Sequence, residues 1–267
     1  MKSAPLDNLW QEIRREAEEA AAAEPVLASY FHAAILSHEC LEQALSYNLA
    51  QLLDNPIVSG LLIRQVIDKA LQCDPGIVER ASADLLAHYE RDPACSHYTM
   101  PLLYFKGFQA LQAHRIGHWL WSNNRRPLAL YLQSLVAETF SVDIHPGARI
   151  GGGVMIDHAT GLVIGETAVI GDNVSMLHGV SLGGSGRRSG QRHPCVGDGV
   201  LISAGAKLLG DIRVGVGAKV GAGSLVVESV PDHTTVAGVP ARIVGRPKQP
   251  EPARDMEQRL DNGAHGA

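Results

Sequence analysis

The sequence predicts an α+β chain made of two unlike parts. Residues 1–140 form an all-α helical bundle, and residues 141–245 form a parallel β-helix from which a loop at 183–195 leaves. A flexible tail follows over 246–267. Three observations carry this reading. Aliphatic residues recur every six positions from Ile144 to Val226. Before residue 140 glycine is scarce and apolar residues recur at three-and-four spacing. After Gly245, Pro247, Pro250 and Pro252 stand among charges, the composition of a mobile end. No helix has a period of six and a simple strand has a period of two, whereas hexapeptide repeats mark a parallel β-helix.

In the bundle, Leu6, Leu9, Ile13 and Ala17 mark a first helix that ends before Pro25. Leu27, Phe31, Ala34 and Ile35 mark a second. Leu41, Leu45, Leu49 and Leu52 mark a third, with Ser37 as its N-cap and Pro56 beyond its end. Asp74-Pro75 opens another, with a cap and a proline at the first helical position, running toward His88. Segments from Leu102 to Trp121 and from Pro127 to Phe140 complete the domain. Its aromatic residues, among them Tyr30, Phe31, Tyr104, Phe105, Phe108, Trp119 and Trp121, belong mostly to the core by ordinary burial habit, with some free to form a subunit contact.

The beat reads Ile144, Ile150, Ile156 and Leu162, then Ile164, Ile170, Met176 and Leu182, then Val196, Ile202, Leu208, Val214, Val220 and Val226. Seven of these fourteen residues are followed at once by glycine, as at Gly151, Gly165 and Gly171, which suggests corners that need glycine's conformational freedom. Small or β-branched residues such as Ala148, Val154 and Thr160 stand two positions before the next beat. Three hexads close a triangular coil of eighteen residues, and coils stack about 4.8 Å apart. Such a thin prism is filled by its own side chains, so ligands bind outside it. The beat slips by two residues at Leu162–Ile164, where a corner is bulged. From Leu182 to Val196 it slips by fourteen, and Gly183-Gly-Ser-Gly-Arg-Arg-Ser-Gly-Gln-Arg-His-Pro-Cys195 leaves as a basic loop, a usual place for function.

The net charge of −5 over 267 residues argues against a nucleic-acid role. Cys40, Cys73, Cys95 and Cys195 show no CxxC spacing, so neither a disulfide framework nor a zinc knuckle is indicated. Reduced thiols, an N-terminus without a signal-peptide pattern and the lack of a membrane-length apolar run point to a cytoplasmic protein with no membrane partner.

The chemistry-bearing constellation is Asp143, Asp157, His158, Arg192 and His193. His158 is the third residue of the hexad from Ile156, an outward position, with Asp157 beside it and Asp143 about one layer away. A carboxylate that accepts from one ring nitrogen leaves the other to act as a base. Alone, an exposed histidine beside an aspartate is more often plain surface; the inserted loop carrying Arg192-His193 favours function. His178 repeats the lattice position of His158 one layer up. It reads either as a pocket wall or, with His158 and His193, as a zinc ligand.

The runs Val142-Asp-Ile-His-Pro-Gly-Ala-Arg-Ile-Gly, Asp157-His-Ala-Thr-Gly, Ile164-Gly-Glu-Thr-Ala-Val, Leu182-Gly-Gly, Arg192-His-Pro and Ala237-Gly-Val-Pro-Ala-Arg-Ile-Val-Gly closely resemble the bacterial serine O-acetyltransferase family, a branch of the hexapeptide-repeat acyltransferases. The likeness continues through Arg91-Asp-Pro-Ala and the stretch from Pro101 to Trp121, and so spans residues 6 to 247. It implies a left-handed coil, against the usual right-handed crossover rule. It also implies acetyl transfer from acetyl-CoA to the hydroxyl of L-serine, giving O-acetylserine for cysteine synthesis. His158 would be the general base and Asp143 its orienting carboxylate. Asp92 and Asp157 would face the serine ammonium, and Arg192 with His193 its carboxylate. Gly184, Ala204, Gly205, Lys219, Ala222 and Arg242 would line the coenzyme A path, with no metal required. Relatives of this kind form trimers or dimers of trimers with sites between prisms, and L-cysteine competes with serine. Many also insert a C-terminal isoleucine into cysteine synthase; this chain ends Asn262-Gly-Ala-His-Gly-Ala267, which places that partnership in doubt. Rival readings are the same chemistry on another amino acid or a sugar, a trimeric zinc carbonic anhydrase, and a non-catalytic spacer.

Overall fold

The computed structural model describes residues 6–186 and 189–260. Its first part is helical. Helix α1 (Leu6–Ala23) buries Leu9, Ile13 and Ala17 along one stripe, as three-and-four spacing requires. The expected second helix is broken into a 3₁₀ turn at Pro25–Leu27, a single α turn α2 (Ala28–Phe31) and a π turn at His32–Leu36. Helix α3 (Leu41–Leu52) starts after Cys40, and Ser37 does not cap it; the Ser37 hydroxyl donates instead to the Ala33 carbonyl. Helix α4 (Gly60–Cys73) was not expected, and α5 (Gly76–Arg91) follows it. The expected helix from Leu102 to Trp121 is interrupted at Phe105, whose extended backbone separates α6 (Thr99–Tyr104) from α7 (Lys106–Ser122). Helix α8 (Arg126–Phe140) ends on Ser141 at φ 57° and leads straight into the prism. Among the aromatics, Phe31 and Phe108 are buried, whereas Tyr30 and Tyr104 are exposed.

The prism has three parallel faces. The first stacks β1 (Val142–Ile144), β4 (Leu162–Ile164), β7 (Ser181–Gly183), β10 (Lys207–Leu209) and β13 (Leu225–Val226). The second stacks β2 (Arg149–Ile150), β5 (Val169–Ile170), β8 (Cys195–Val196) and β11 (Arg213–Val214). The third stacks β3 (Met155–Ile156), β6 (Ser175–Met176), β9 (Leu201–Ile202), β12 (Lys219–Val220) and β14 (Thr235–Gly238), and ends with antiparallel β15 (Ala241–Gly245). Thirteen of the fourteen beat residues are buried, Ile150 being partly covered, so the inward stack follows the sequence reading. Each full burial of such a side chain is worth about 1.5–3 kcal/mol.

The register locates both slips. Ile144 pairs with Ile164 and Ile156 with Met176, a coil of twenty residues, whereas Ile164 pairs with Leu182 after eighteen. The two extra residues lie in the corner from Asp157 to Gly161, and Leu162 takes the inward place that Val142 holds before Ile144. Thr160 is therefore exposed rather than a small core residue. Ile170 pairs with Val196 after twenty-six residues, which accounts for the loop.

The glycines that follow the beat are not at corners of left-handed backbone. At Gly171 an added Cβ would stand 2.1 Å from Asp198 Oδ1 and 2.9 Å from Asp198 N, so the residue makes room for the next coil. The Asp198 carboxylate uses that room to accept the Asp172 amide at 2.8 Å. Left-handed backbone falls two residues later, as at Gly153 and Asn173.

Helices and prism are joined by a buried ion pair. Asp84 accepts from Arg115 Nη2 at 2.6 Å and from the Val154 amide at 2.8 Å, while Arg115 also donates to the carbonyls of Ile150 and Gly151. The tail, expected as a flexible end, makes contacts with the prism. Over residues 246–260 it folds back on the prism, with α9 (Pro252–Asp255) burying Ala253 and the Ala253 carbonyl accepting from Ser175 Oγ at 2.9 Å. Residues 261–267, including the C-terminus named above, lie outside the described residues.

Candidate active site

The lengthened corner presents His158. Its side chain is 73% exposed, and it and Ala159 both adopt left-handed backbone, a costly state for residues other than glycine that is concentrated at functional positions. Three contacts hold the corner. The Gly161 amide donates to Ser141 O at 2.8 Å, Lys106 Nζ donates to Thr160 Oγ1, and α7 begins directly on the corner's backbone. That approach explains the break at Phe105. A Cβ on Gly107 would lie 2.0 Å from the Ile156 carbonyl oxygen.

Beneath the roof of α5 to α7 is a cavity of about 350 Å³ lined by Asp92, Asp157, His158, His88, Tyr104 and Lys106, among others. Asp157 Oδ1 stands 3.8 Å from His158 Nε2. Burial pushes the Asp157 carboxyl above its usual range, against the pull of His158 and with the Asp92 charge adding to the rise. Two carboxylates forced together in a half-buried pocket favour a cation. Asp92 ends α5 and accepts the Ala94 amide at 2.8 Å, a bond that fixes its side chain at the rim. Below it, burial drives the His88 ring down to about 3, so a neutral imidazole forms part of the wall. Asp143, on β1, accepts Gln133 Nε2 at 2.6 Å and forms no hydrogen bond to His158 among the described residues.

Arg192 and His193 lie at the other edge of the same face. Arg192 Nη2 pairs with Glu166 Oε2, and Thr167 organises the rest. The Thr167 amide donates to His193 Nδ1 at 3.2 Å, and Thr167 Oγ1 lies 2.9 Å from the same nitrogen. Burial, with the Arg192 charge assisting, holds His193 below the ordinary histidine range. A neutral ring that accepts at Nδ1 carries its hydrogen on Nε2, and that atom lies against Gly165 with Gly184 also beside it. The pair Glu166–Arg192 and the pair Thr167–His193 each span twenty-six residues, the offset of Ile170 and Val196. Glu166 and Thr167 stand in the run from Ile164 with no role legible in their type alone; the six-residue beat carried across the loop pairs them with Arg192 and His193.

The expected coenzyme residues fall in several places. His158, His178, Ala204 and Ala222 form one column along the corner between the third and first faces, each two residues after Ile156, Met176, Ile202 and Val220. Gly205 belongs to the same column, its amide donating to the His178 carbonyl at 2.9 Å. Gly184 is instead beside His193. Lys219 is buried under the tail and donates to the Arg259 carbonyl at 2.7 Å, while Arg242 is exposed on β15. His158 and His178 have rings 5.9 Å apart, edge to face, whereas His193 stands at the other corner, so the three do not converge within one chain.

Residues 9–113 match the family described as "Serine acetyltransferase, N-terminal". A serine acetyltransferase of Salmonella typhimurium is 55% identical over 260 residues, which is 97% of this chain and 95% of that protein. The chain belongs to the serine acetyltransferases. It is an acyltransferase, as its relatives are named. A solved serine acetyltransferase in complex with cysteine superposes with a TM-score of 0.94 at 53% identity, covering 96% of this chain and 99% of that one. A Brucella abortus serine acetyltransferase solved with coenzyme A superposes at 0.89 with 51% identity, covering 91% and 98%. The parallel prism behind a helical domain is therefore the architecture of this family. No helix among the described residues is long and apolar enough to cross a membrane.

Proposed function

We propose that this serine acetyltransferase moves the acetyl group of acetyl-CoA to the hydroxyl of L-serine, with His158 as general base. The observation that carries the reading is the cavity in which Asp92 and Asp157 stand beside an exposed His158. The serine ammonium would lie between the two carboxylates, which points its hydroxyl at the imidazole. His158 takes that proton as the serine oxygen attacks the thioester carbonyl carbon. The intermediate expels the coenzyme A sulfur, and the proton returns to it. A positioned base of this kind is worth about 10²–10⁴-fold. Asp143 would stabilise the imidazolium after exchanging its bond with Gln133.

Serine also carries a carboxylate, and the groups suited to it, Arg192 and His193 Nε2–H, are on the far corner. A neighbouring copy in a cyclic trimer would bring that corner against His158, and the bundles would pair two trimers. The column of Ala204, Gly205 and Ala222 supplies a lane along which the coenzyme arm can run close to backbone. Lys219 and Arg242 would meet its phosphates, which requires the tail to release Lys219. L-Cysteine, a near-isostere of serine, would fit the same cavity and inhibit. The reaction would be the first step from serine to cysteine in the cytoplasm.

The test is release of free thiol from acetyl-CoA with L-serine, L-homoserine or a galactoside as acceptor. Serine should exceed the others by at least about tenfold in kcat/KM, the discrimination one methylene gives in a fitted pocket. Equal or better turnover of the galactoside would overturn the assignment of the acceptor.

A further inference from the structure

His158 is held in a backbone conformation that its own residue type does not favour. It and Ala159 have φ of 57° and 59°. The Ala159 amide donates to the Asp157 carbonyl at 2.6 Å and the Thr160 amide to the His158 carbonyl at 2.7 Å. Two three-residue turns thus follow one another with left-handed residues at their centres. Such turns are strained, and a residue stays in them only where its surroundings over-determine it. On the prism side the corner is tied at its far end, the Gly161 amide donating to the Ser141 carbonyl and the Gly179 amide to the Thr160 carbonyl, each at 2.8 Å. Neither of these two bonds reaches His158.

The Thr160 side chain supplies that link. Its hydroxyl donates to the His158 carbonyl at 3.4 Å and accepts from Nζ of Lys106, the first residue of α7. A hydroxyl has one hydrogen to give, and accepting from an ammonium polarises it toward giving that hydrogen. The bonds therefore run in one direction, from Lys106 through Thr160 to the backbone of His158. Thr160 is exposed, so its hydroxyl supports no core. Lys106 shares the cavity wall with the carboxylates Asp92 and Asp157, yet among the described residues its ammonium bonds to Thr160 and to neither of them.

We infer that Lys106 and Thr160 are positioning residues, which together fix the backbone of His158 so that its imidazole keeps its aim into the cavity. The inference rests on the proposed reading of His158 as the base, and neither residue touches a reacting atom. The carbonyl that Thr160 holds is on the same residue as the ring, so any turn of this peptide unit swings the imidazole. A displacement of about 1 Å at a reacting group can cost about a hundredfold in rate. Lys106 is itself anchored, because Gly107 beside it lies against the Ile156 carbonyl, where an added Cβ would stand at 2.0 Å. The roof thereby reaches the base through a single side chain.

The experiment measures turnover with serine and affinity for free coenzyme A. Thr160→Val keeps the shape of the side chain and loses the hydroxyl, Thr160→Ser keeps the hydroxyl, and Lys106→Met removes the ammonium. Thr160→Val and Lys106→Met should each lower kcat about ten- to hundredfold. Thr160→Ser should stay within about threefold of the intact enzyme, and coenzyme A affinity within about twofold throughout, a readout that general loosening of the site would move. The double variant Lys106→Met/Thr160→Val should be no more than about twofold worse than the worse single one, since both cut the same run of bonds. Added to His158→Ala, Thr160→Val should cost nothing further, because the residue through which it acts is gone. A kcat for Thr160→Val within about threefold of the intact enzyme would overturn the inference. So would losses that multiply in the double variant, no recovery with Ser, coenzyme A affinity falling in step with kcat, or a further loss on top of His158→Ala. Undiminished turnover by His158→Ala alone would instead bring down the reading beneath it.

Discussion

At one edge of the first face, His158 sits under a roof of helices on a corner lengthened by two residues. At the other edge, Arg192 and His193 rest on Glu166 and Thr167 at the root of an inserted loop. The first corner is negative and walled, with Asp92 and Asp157 around a cavity of about 350 Å³. The second is led by a guanidinium and a ring N–H. Each suits one end of a zwitterion, and within one chain a whole strand, β4, lies between them. A single copy thus offers both chemistries without a place where one small amino acid meets both. That separation makes the assembly part of the proposed mechanism rather than an accessory to it.

The sharpest way to break the comparison is at the roofed corner. His158→Ala should lose about 10²–10⁴-fold in kcat while the fold persists, because the side chain is largely exposed and supports no core contact. Circular dichroism would report the fold and thiol release the rate. Near-normal turnover would show that the negative corner binds substrate without acting on it.

The next largest effect contrasts the rigidity of the two corners through their glycines. A Cβ on Gly107 would meet the Ile156 carbonyl at 2.0 Å, backbone against backbone with no side chain free to yield. Gly107→Ala should cost about 3 kcal/mol of stability, toward the upper end for overpacking, and displace the His158 corner. A Cβ on Gly184 would stand 3.3 Å from His193 Nε2 and 3.4 Å from the Arg192 carbonyl, where a few tenths of an ångström of movement suffices. Gly184→Ala should therefore melt close to the unaltered protein. Thermal denaturation of the pair decides it; equal losses would mean that the loop corner is as tightly built as the roofed one.

These contrasts also show what was legible in the sequence. The six-residue beat gave the inward stack because the side chain at that position has nowhere else to go. It misled about glycine, since the same residue type serves close approach at Gly171 and left-handed backbone at Gly153. Helix α4 escaped notice because Leu61 and Leu62 are exposed beside buried Ile63, which blurs its three-and-four stripe. The break at Phe105 follows from the demand that Gly107 touch the prism, a tertiary cause invisible to local pattern. At the site, Asp157 and His158 could be placed from the lattice alone, whereas Asp92 came only with the family likeness because its partners are on another domain. The fold-back of residues 246–260 onto Lys219 depends on burial of Ala253, which no proline-rich, charged composition announces.

The smallest expected effect tests the loop corner and then joins the two. Arg192→Ala should raise the serine KM about ten- to hundredfold, the worth of one charge-assisted pair, with little change for acetyl-CoA. Equal losses for both substrates would contradict a role toward the serine carboxylate. The same variant can then be mixed, through denaturation and refolding, with His158→Ala in equal amounts. If each site takes His158 from one copy and Arg192 from its neighbour, about a quarter of the boundaries in randomly mixed trimers carry both intact residues, and activity should return to about a quarter of the native level. If both residues came from one chain, every site would retain one defect, and the mixture would show only the average of the two residual activities. Recovery therefore measures directly whether the negative corner of one chain works with the positive corner of another.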